Sequence, residues 1–251
     1  MTKSKQTKNL VAYITAGFPD VNFSVDLALA LKDAGADTLE LGIAFSDPVA
    51  DGPIIEEANL RSLQSGFRVQ DVFDISEKIA DKIDTYWMGY FNSFYHKGIE
   101  NISKIAKKSS VKGFIIPDLP HEETLIYRST FTKNDLSLVS FVAPTDDETR
   151  VKEVIKNSRG FIYLVAYAGI TGSGASEDLS QIIKQVKENS DTPLYVGFGV
   201  NEKTAKEKSK GVDGVIVGSA FVKVLLDDSL THTQKIQKIS QIAKNIKEAI
   251  N

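Results

Sequence analysis

The sequence predicts an α/β fold in which eight parallel strands, each followed by a helix, close into a (β/α)8 barrel spanning residues 1–251 as a single domain. Three observations carry this prediction. Eight short runs rich in β-branched and aromatic residues recur along the chain. Stretches with apolar residues at helical spacing lie between them. No low-complexity linker or change of composition divides the 251 residues, a length ordinary for one such barrel. An open, doubly wound sheet also alternates strands and helices, but a count of eight favours the closed TIM barrel.

The elements follow in order. The first strand is Leu10–Thr15, and the stripe Val25, Leu27, Ala28, Leu31 and Ala34 marks the helix after it. The second strand is Thr38–Leu41, the third Thr85–Gly89 and the fourth Gly113–Ile116. Phe114, Ile115 and Ile116 are apolar in succession, as in strands covered on both faces. The fifth strand is Ser137–Val142, followed by a stripe of Val151, Val154 and Ile155. Phe161–Val165 is the sixth, with Ile182, Ile183 and Val186 behind it. Leu194–Gly197 and Gly214–Val217 complete the eight. From Thr233 to Ile250, Ile236, Ile239, Ile242, Ala243, Ile246 and Ile250 share one face of a long amphipathic helix.

Composition narrows the function. The net charge of −3 comes without a basic stripe, which argues against a nucleic-acid partner. Cysteine is absent, so disulfides, thiolate metal sites and thiol nucleophiles are excluded together. His96, His121 and His232 are scattered and suggest no metal site. The segment from Met1 to Asn9 is polar and basic without the apolar stretch of a secretion signal. No apolar run approaches the roughly 20 residues of a membrane span. A cytoplasmic protein with no membrane partner is the expectation.

Polar residues crowd where strands end, which is where such folds place their sites. The second strand runs into Glu40-Leu41-Gly42-Ile43-Ala44-Phe45-Ser46-Asp47-Pro48-Val49-Ala50-Asp51-Gly52-Pro53. A glutamate inside a barrel strand is costly unless solvated at the mouth or paired. Glu40 therefore reads as a helix-side or surface glutamate, as a core carboxylate held by hydrogen bonds, or as a catalytic acid. Asp51, eleven positions on and between two turn signals, supplies a second carboxylate on the same loop. Asp47 and Asp51 fit simple turn stabilisation equally well. Asp118, in Ile116-Pro117-Asp118-Leu119-Pro120, is either another carboxylate at the mouth or a cap for the helix starting near His121. Glycines follow the last three strands: Gly169, Gly172 and Gly174; Gly197 and Gly199; and Gly218 before Ser219. Glycine lets backbone N–H groups approach a ligand, and this end of a barrel commonly holds phosphate.

These residues resemble the signature of the tryptophan synthase alpha-subunit family. The resemblance is carried by the run from Leu39 to Pro53 followed by Ala58-Asn59-Leu60-Arg61, by Tyr13-Ile-Thr-Ala-Gly-Phe-Pro-Asp20, by Pro117-Asp118-Leu119-Pro120 and by Ala143-Pro144-Thr145. Gly169-Ile170-Thr171-Gly172, Gly197-Phe198-Gly199 and Gly218-Ser219 extend it, so it covers essentially the whole chain. It implies a lyase that cleaves indole-3-glycerol phosphate to indole and glyceraldehyde 3-phosphate in tryptophan biosynthesis. The resemblance makes Glu40 and Asp51 the catalytic carboxylates. It places Tyr163, Thr171, Gly172, Phe198, Gly199, Gly218 and Ser219 around the substrate, with Thr171 contacting Asp51 when the sixth loop closes as a lid. It implies no cofactor in this chain, pyridoxal phosphate belonging to a partner beta subunit in an alpha2-beta2 heterotetramer. Three positions depart from the family pattern. Ala44 stands where proline is usual, Tyr167 where arginine is usual, and Asn92-Ser93 where Asn-Pro is frequent.

The implied chemistry needs an acid for indole C3, a negative charge near the ring N–H and a base for the glycerol hydroxyl. Glu40 is expected to be the acid, with a pKa raised by apolar surroundings; Asp51, in a more polar loop, is expected to stay ionised. Two other readings remain, the first being another phosphate-binding TIM-barrel enzyme, such as a sugar-phosphate epimerase or an indole-glycerol phosphate synthase. A metal-dependent epimerase wants histidines at strand ends, and none stands there. An indole-glycerol phosphate synthase wants a catalytic lysine on a strand, whereas Lys112 precedes the fourth strand. The second alternative is a subunit kept mainly to bind and activate the beta chain, and it conflicts with retention of both carboxylates.

Overall fold

The computed structural model describes residues 7–166 and 178–251. Among these, nine parallel strands form one sheet: β1 (Asn9–Thr15), β2 (Thr38–Gly42), β3 (Asp84–Met88), β4 (Gly113–Ile115), β5 (Ser137–Leu138), β6 (Ser140–Val142), β7 (Ile162–Val165), β8 (Leu194–Gly197) and β9 (Gly214–Val217). Spatial neighbours run β5-β4-β3-β2-β1-β9-β8-β7-β6. The two ends of that order, β5 and β6, are consecutive in the chain and separated only by Val139. The sheet therefore curls round to meet itself as a barrel. The expected fifth strand is one stretch in two halves: β5 pairs with β4 and β6 with β7. At the break, the Val139 N–H still donates to Phe114 O at 3.0 Å.

Eleven helices accompany the strands in the described residues: α1 (Val21–Asp33), α2 (Pro53–Gln64), α3 (Val69–Ile79), α4 (Phe91–Tyr95), α5 (Ile99–Lys108), α6 (His121–Lys133), α7 (Glu148–Ile155), α8 (Ser180–Asn189), α9 (Ala205–Lys208), α10 (Ser219–Leu225) and α11 (His232–Ile250). Local chemistry sets their ends. The Asp20 side chain accepts the Phe23 N–H and starts α1, while Thr231 and Gln234 form a capping box at the start of α11. The stripes expected from sequence face inward. Leu27, Ala28 and Leu31 of α1, Val151, Val154 and Ile155 of α7, and Ile239, Ala243, Ile246 and Ile250 of α11 are buried. Val25, Ala34, Ile183, Ile236 and Ile242 are only partly so. Lys235 is buried as well, because its ammonium donates to Leu225 O at 2.6 Å, at the end of α10.

Strand register decides which side chains face each other. Tyr13, Glu40 and Tyr86 are partners across β1, β2 and β3, and Phe141, Tyr163 and Tyr195 across β6, β7 and β8. Ring contacts tie the two sets together: Tyr86 lies 5.1 Å from Phe161, and Phe161 lies 4.7 Å from Tyr195. The barrel interior is thus aromatic and partly polar. Neighbouring positions point the other way, to the helices. Trp87 stacks on Phe73 of α3 at 5.2 Å, and its indole N–H donates to Ser76 Oγ of the same helix at 2.8 Å.

Candidate active site

Glu40 is the middle residue of β2 and is 3% exposed. One carboxyl oxygen, Oε2, is buried without a hydrogen-bond partner among the described residues. Such a group strongly disfavours ionisation. Burial first, and then the charge of Asp51, push the Glu40 carboxyl from 4.5 up to about 8. At neutral pH it carries a proton inside the barrel and can donate it.

Asp51 closes the loop after β2, directly before Gly52 and the N1 proline of α2. Its N–H donates to Pro48 O at 2.9 Å, so the backbone turns here as the Asp-Pro and Asp-Gly-Pro signals predict. Its side chain does more than hold that turn. Oδ2 accepts from the Tyr90 hydroxyl at 3.1 Å and from Asn59 Nδ2 at 3.4 Å. Burial raises Asp51 from 3.8 to about 6, and those two hydrogen bonds pull it back. Its two hydrogen bonds and partial exposure give it more polar surroundings than Glu40, although side chains from α2 and from Tyr90, just beyond β3, lie against it. It nevertheless ionises below Glu40, so the two carboxyl groups differ as two roles require.

Two tyrosines complete the surroundings. Burial and the neighbouring carboxylates hold the hydroxyls of Tyr13 and Tyr163 well above their usual range, so both stay neutral. Each ring leans over a glycine of the adjacent strand. A Cβ at Gly42 would come within 2.6 Å of Tyr13 Cζ, and one at Gly197 within 2.6 Å of Tyr163 Cζ. Those glycines make room for the rings, which explains them without any ligand.

Tyr163 meets Phe198 edge-on at 6.4 Å, and Phe198 is 38% exposed. Phe198 and Gly199 both adopt left-handed backbone, with φ of 69° and 66°. Such a conformation is strained for phenylalanine. Lys208 Nζ donating to Phe198 O at 2.9 Å and Thr204 Oγ1 donating to Gly199 O at 2.7 Å hold it. Gly218 caps α10, whose first residue is the exposed Ser219. A Cβ at Gly218 would lie 3.4 Å from Ile55 and 3.5 Å from Tyr13, so this turn borders the tyrosine beside Glu40. The turns after β8 and β9 adjoin across neighbouring strands. Thr171, Gly172 and Tyr167 lie outside the described residues.

Other candidates resolve differently. Asp118 Oδ1 accepts the Phe91 N–H at 2.8 Å and so caps α4, the helix after the preceding strand, rather than its own α6. Asp47 is exposed and accepts from the Ser46 hydroxyl at 2.5 Å, a turn role. Ala44 is buried. Sequence reasoning missed Tyr90 and Asn59 as partners of Asp51. Tyr90 follows Gly89 at a strand end, the usual place for a site residue. Asn59 is a polar side chain on the buried face of α2, beside Ala58 and Ser62. Among the described residues, no group of three or more His, Cys, Asp or Glu could hold a metal ion, and no helix is long and apolar enough to cross a membrane.

Comparisons with known proteins bear on the family and the fold. The family profile described as tryptophan synthase alpha chain matches residues 1–251. A tryptophan synthase alpha chain from Wolinella succinogenes is 58% identical over 97% of this chain and 96% of its own. Among solved structures, tryptophan synthase subunit alpha from Campylobacter jejuni superposes with a TM-score of 0.85 at 33% identity, covering 95% of this chain and 96% of that one. A chain of Mycobacterium tuberculosis tryptophan synthase gives a TM-score of 0.88 at 30% identity over 98% of this chain and 93% of its own.

Proposed function

Because the chain belongs to the tryptophan synthase alpha chain family, we propose that Glu40 and Asp51 divide the work of a retro-aldol cleavage of indole-3-glycerol phosphate. The observation that carries the assignment is the pairing, in one barrel opening, of the buried Glu40 carboxyl, pushed up to about 8, with the half-buried Asp51 carboxyl, pushed up to about 6.

Indole is a poor carbanion leaving group, so C3 must be protonated before the bond to the glycerol chain breaks. Glu40, still protonated at neutral pH, transfers its proton to C3. The ring becomes cationic, and Asp51, ionised, accepts a hydrogen bond from the ring N–H and stabilises that charge. The C3–C1′ bond then breaks. Its electron pair returns to the ring and restores aromatic indole. The adjacent hydroxyl gives its proton to the Glu40 carboxylate and becomes the aldehyde of glyceraldehyde 3-phosphate. Glu40 ends protonated, as it began.

The phosphate binds at the Gly199 turn and at Gly218-Ser219, remote from the reacting carbon, and its binding energy holds the substrate in the reactive orientation. Tyr163 and Phe198 supply aromatic walls. Thr171 and Gly172 join the substrate contacts by their match to the family pattern. The partner is the family's beta chain, in an alpha2-beta2 assembly. Pyridoxal phosphate belongs to that partner, and the steps above use only side chains of this chain.

Glu40→Gln tests the assignment. Indole release should fall by at least about 100-fold while glycerol 3-phosphate still binds. Near-normal turnover in that variant contradicts it.

A further inference from the structure

The Tyr90 hydroxyl is placed between two groups of the loop that carries Asp51. It accepts the Ala50 N–H at 2.9 Å and donates to Asp51 Oδ2 at 3.1 Å. Its ring stacks on Phe45, at the start of the same loop, at 5.2 Å and 20°. Tyr90 is 2% exposed, and both bonds are partly sheltered from solvent. A hydroxyl has one proton, and the fixed backbone N–H on its oxygen commits that proton to the carboxylate. Asn59 Nδ2 approaches the same oxygen, Oδ2, at 3.4 Å.

We propose that Tyr90 is the positioning residue for Asp51: it ties Oδ2 to the end of β3 and turns the other carboxylate oxygen toward the substrate's ring N–H. This rests on the assignment of Asp51 as the acceptor for that N–H. The groups acting on or facing Asp51 are Tyr90 beyond β3, Asn59 and Glu56 on α2, Glu40 on β2, Tyr13 on β1 and Tyr163 on β7. Of these, Tyr90 and Asn59 favour its ionised form through hydrogen bonds, and Tyr90 does so from an element independent of the loop and of α2.

The test compares Tyr90→Phe, which keeps the stacked ring and loses the hydroxyl, with Phe45→Leu, which loses the stack and keeps the hydroxyl. Indole release from indole-3-glycerol phosphate is followed against pH for the full chain with its beta partner. Tyr90→Phe should move the acid limb of kcat/KM up by roughly one pH unit and lower kcat about 10-fold, with KM changed less than about 2-fold. Phe45→Leu should leave that limb in place. An unmoved acid limb in Tyr90→Phe overturns the proposal, and so does an equal shift in both variants, which would assign the effect to stacking. If the unaltered chain releases no indole, the lyase assignment itself fails and the role of Tyr90 falls with it.

Discussion

Glu40 binds its proton more tightly in the folded chain than in the unfolded one, because burial raises its carboxyl from 4.5 to about 8. Between those values the folded state holds more protons, so stability is fully present below about pH 4.5 and is lost as pH rises toward 8. Asp51 contributes with the same sign between 3.8 and about 6. Glutamine at position 40 cannot ionise and should remove the Glu40 part of this dependence. Urea unfolding at pH 5 and pH 8 measures it. Relative to the unaltered chain, Glu40→Gln should gain on the order of 3 kcal/mol of stability between the two pH values; no change in the difference contradicts the protonated, buried carboxyl. At this scale the sequence was legible in part. A glutamate within a buried parallel strand announces a raised pKa. The partial burial of Asp51 is not announced, because Asp47-Pro48 and Asp51-Gly52-Pro53 look like exposed turns. Its cover comes from Tyr90 and Asn59, which only the fold brings over it.

The strands were legible nearly to the residue, since each is a short apolar run bounded by turn or helix signals. The exception is the fifth. The stretch from Ser137 to Val142 reads as one strand, yet pairing changes sides at Val139. That break is set by how the sheet closes on itself, a property of the ring rather than of the local residues. Helix α11 is legible for the opposite reason: its stripe and its start are both local. Thr231 accepts the Gln234 N–H through its side chain while the Gln234 side chain returns to the Thr231 N–H. Thr231→Ala should cost about 1 kcal/mol in denaturant unfolding, and Thr231→Ser should restore most of it. Equal stability of all three would mean that the cap contributes nothing. Lys235 was not legible as a buried residue, because its burial depends on a carbonyl of α10 ten positions earlier.

At the scale of the molecule, the barrel interior is what makes a site of separate strand ends. Tyr13 and Tyr163 approach from β1 and β7, and each needs a glycine on the neighbouring strand. From sequence, Gly197 reads as part of a phosphate-binding cluster; in the structure it makes room for Tyr163. Gly197→Ala should therefore destabilise the chain by roughly 1–3 kcal/mol through overpacking. Indole formation should weaken along with stability, since the displaced ring is Tyr163. Full stability in the alanine variant would show that the ring can move aside. The central claim is that two carboxyl groups within this interior act in opposite protonation states. The direct test is kcat/KM for indole release between pH 5 and pH 9.5. The account predicts a bell, rising as Asp51 ionises near 6 and falling as Glu40 loses its proton near 8. A rate that continues to climb above pH 8 would contradict it, because ionised Glu40 would then be the active form.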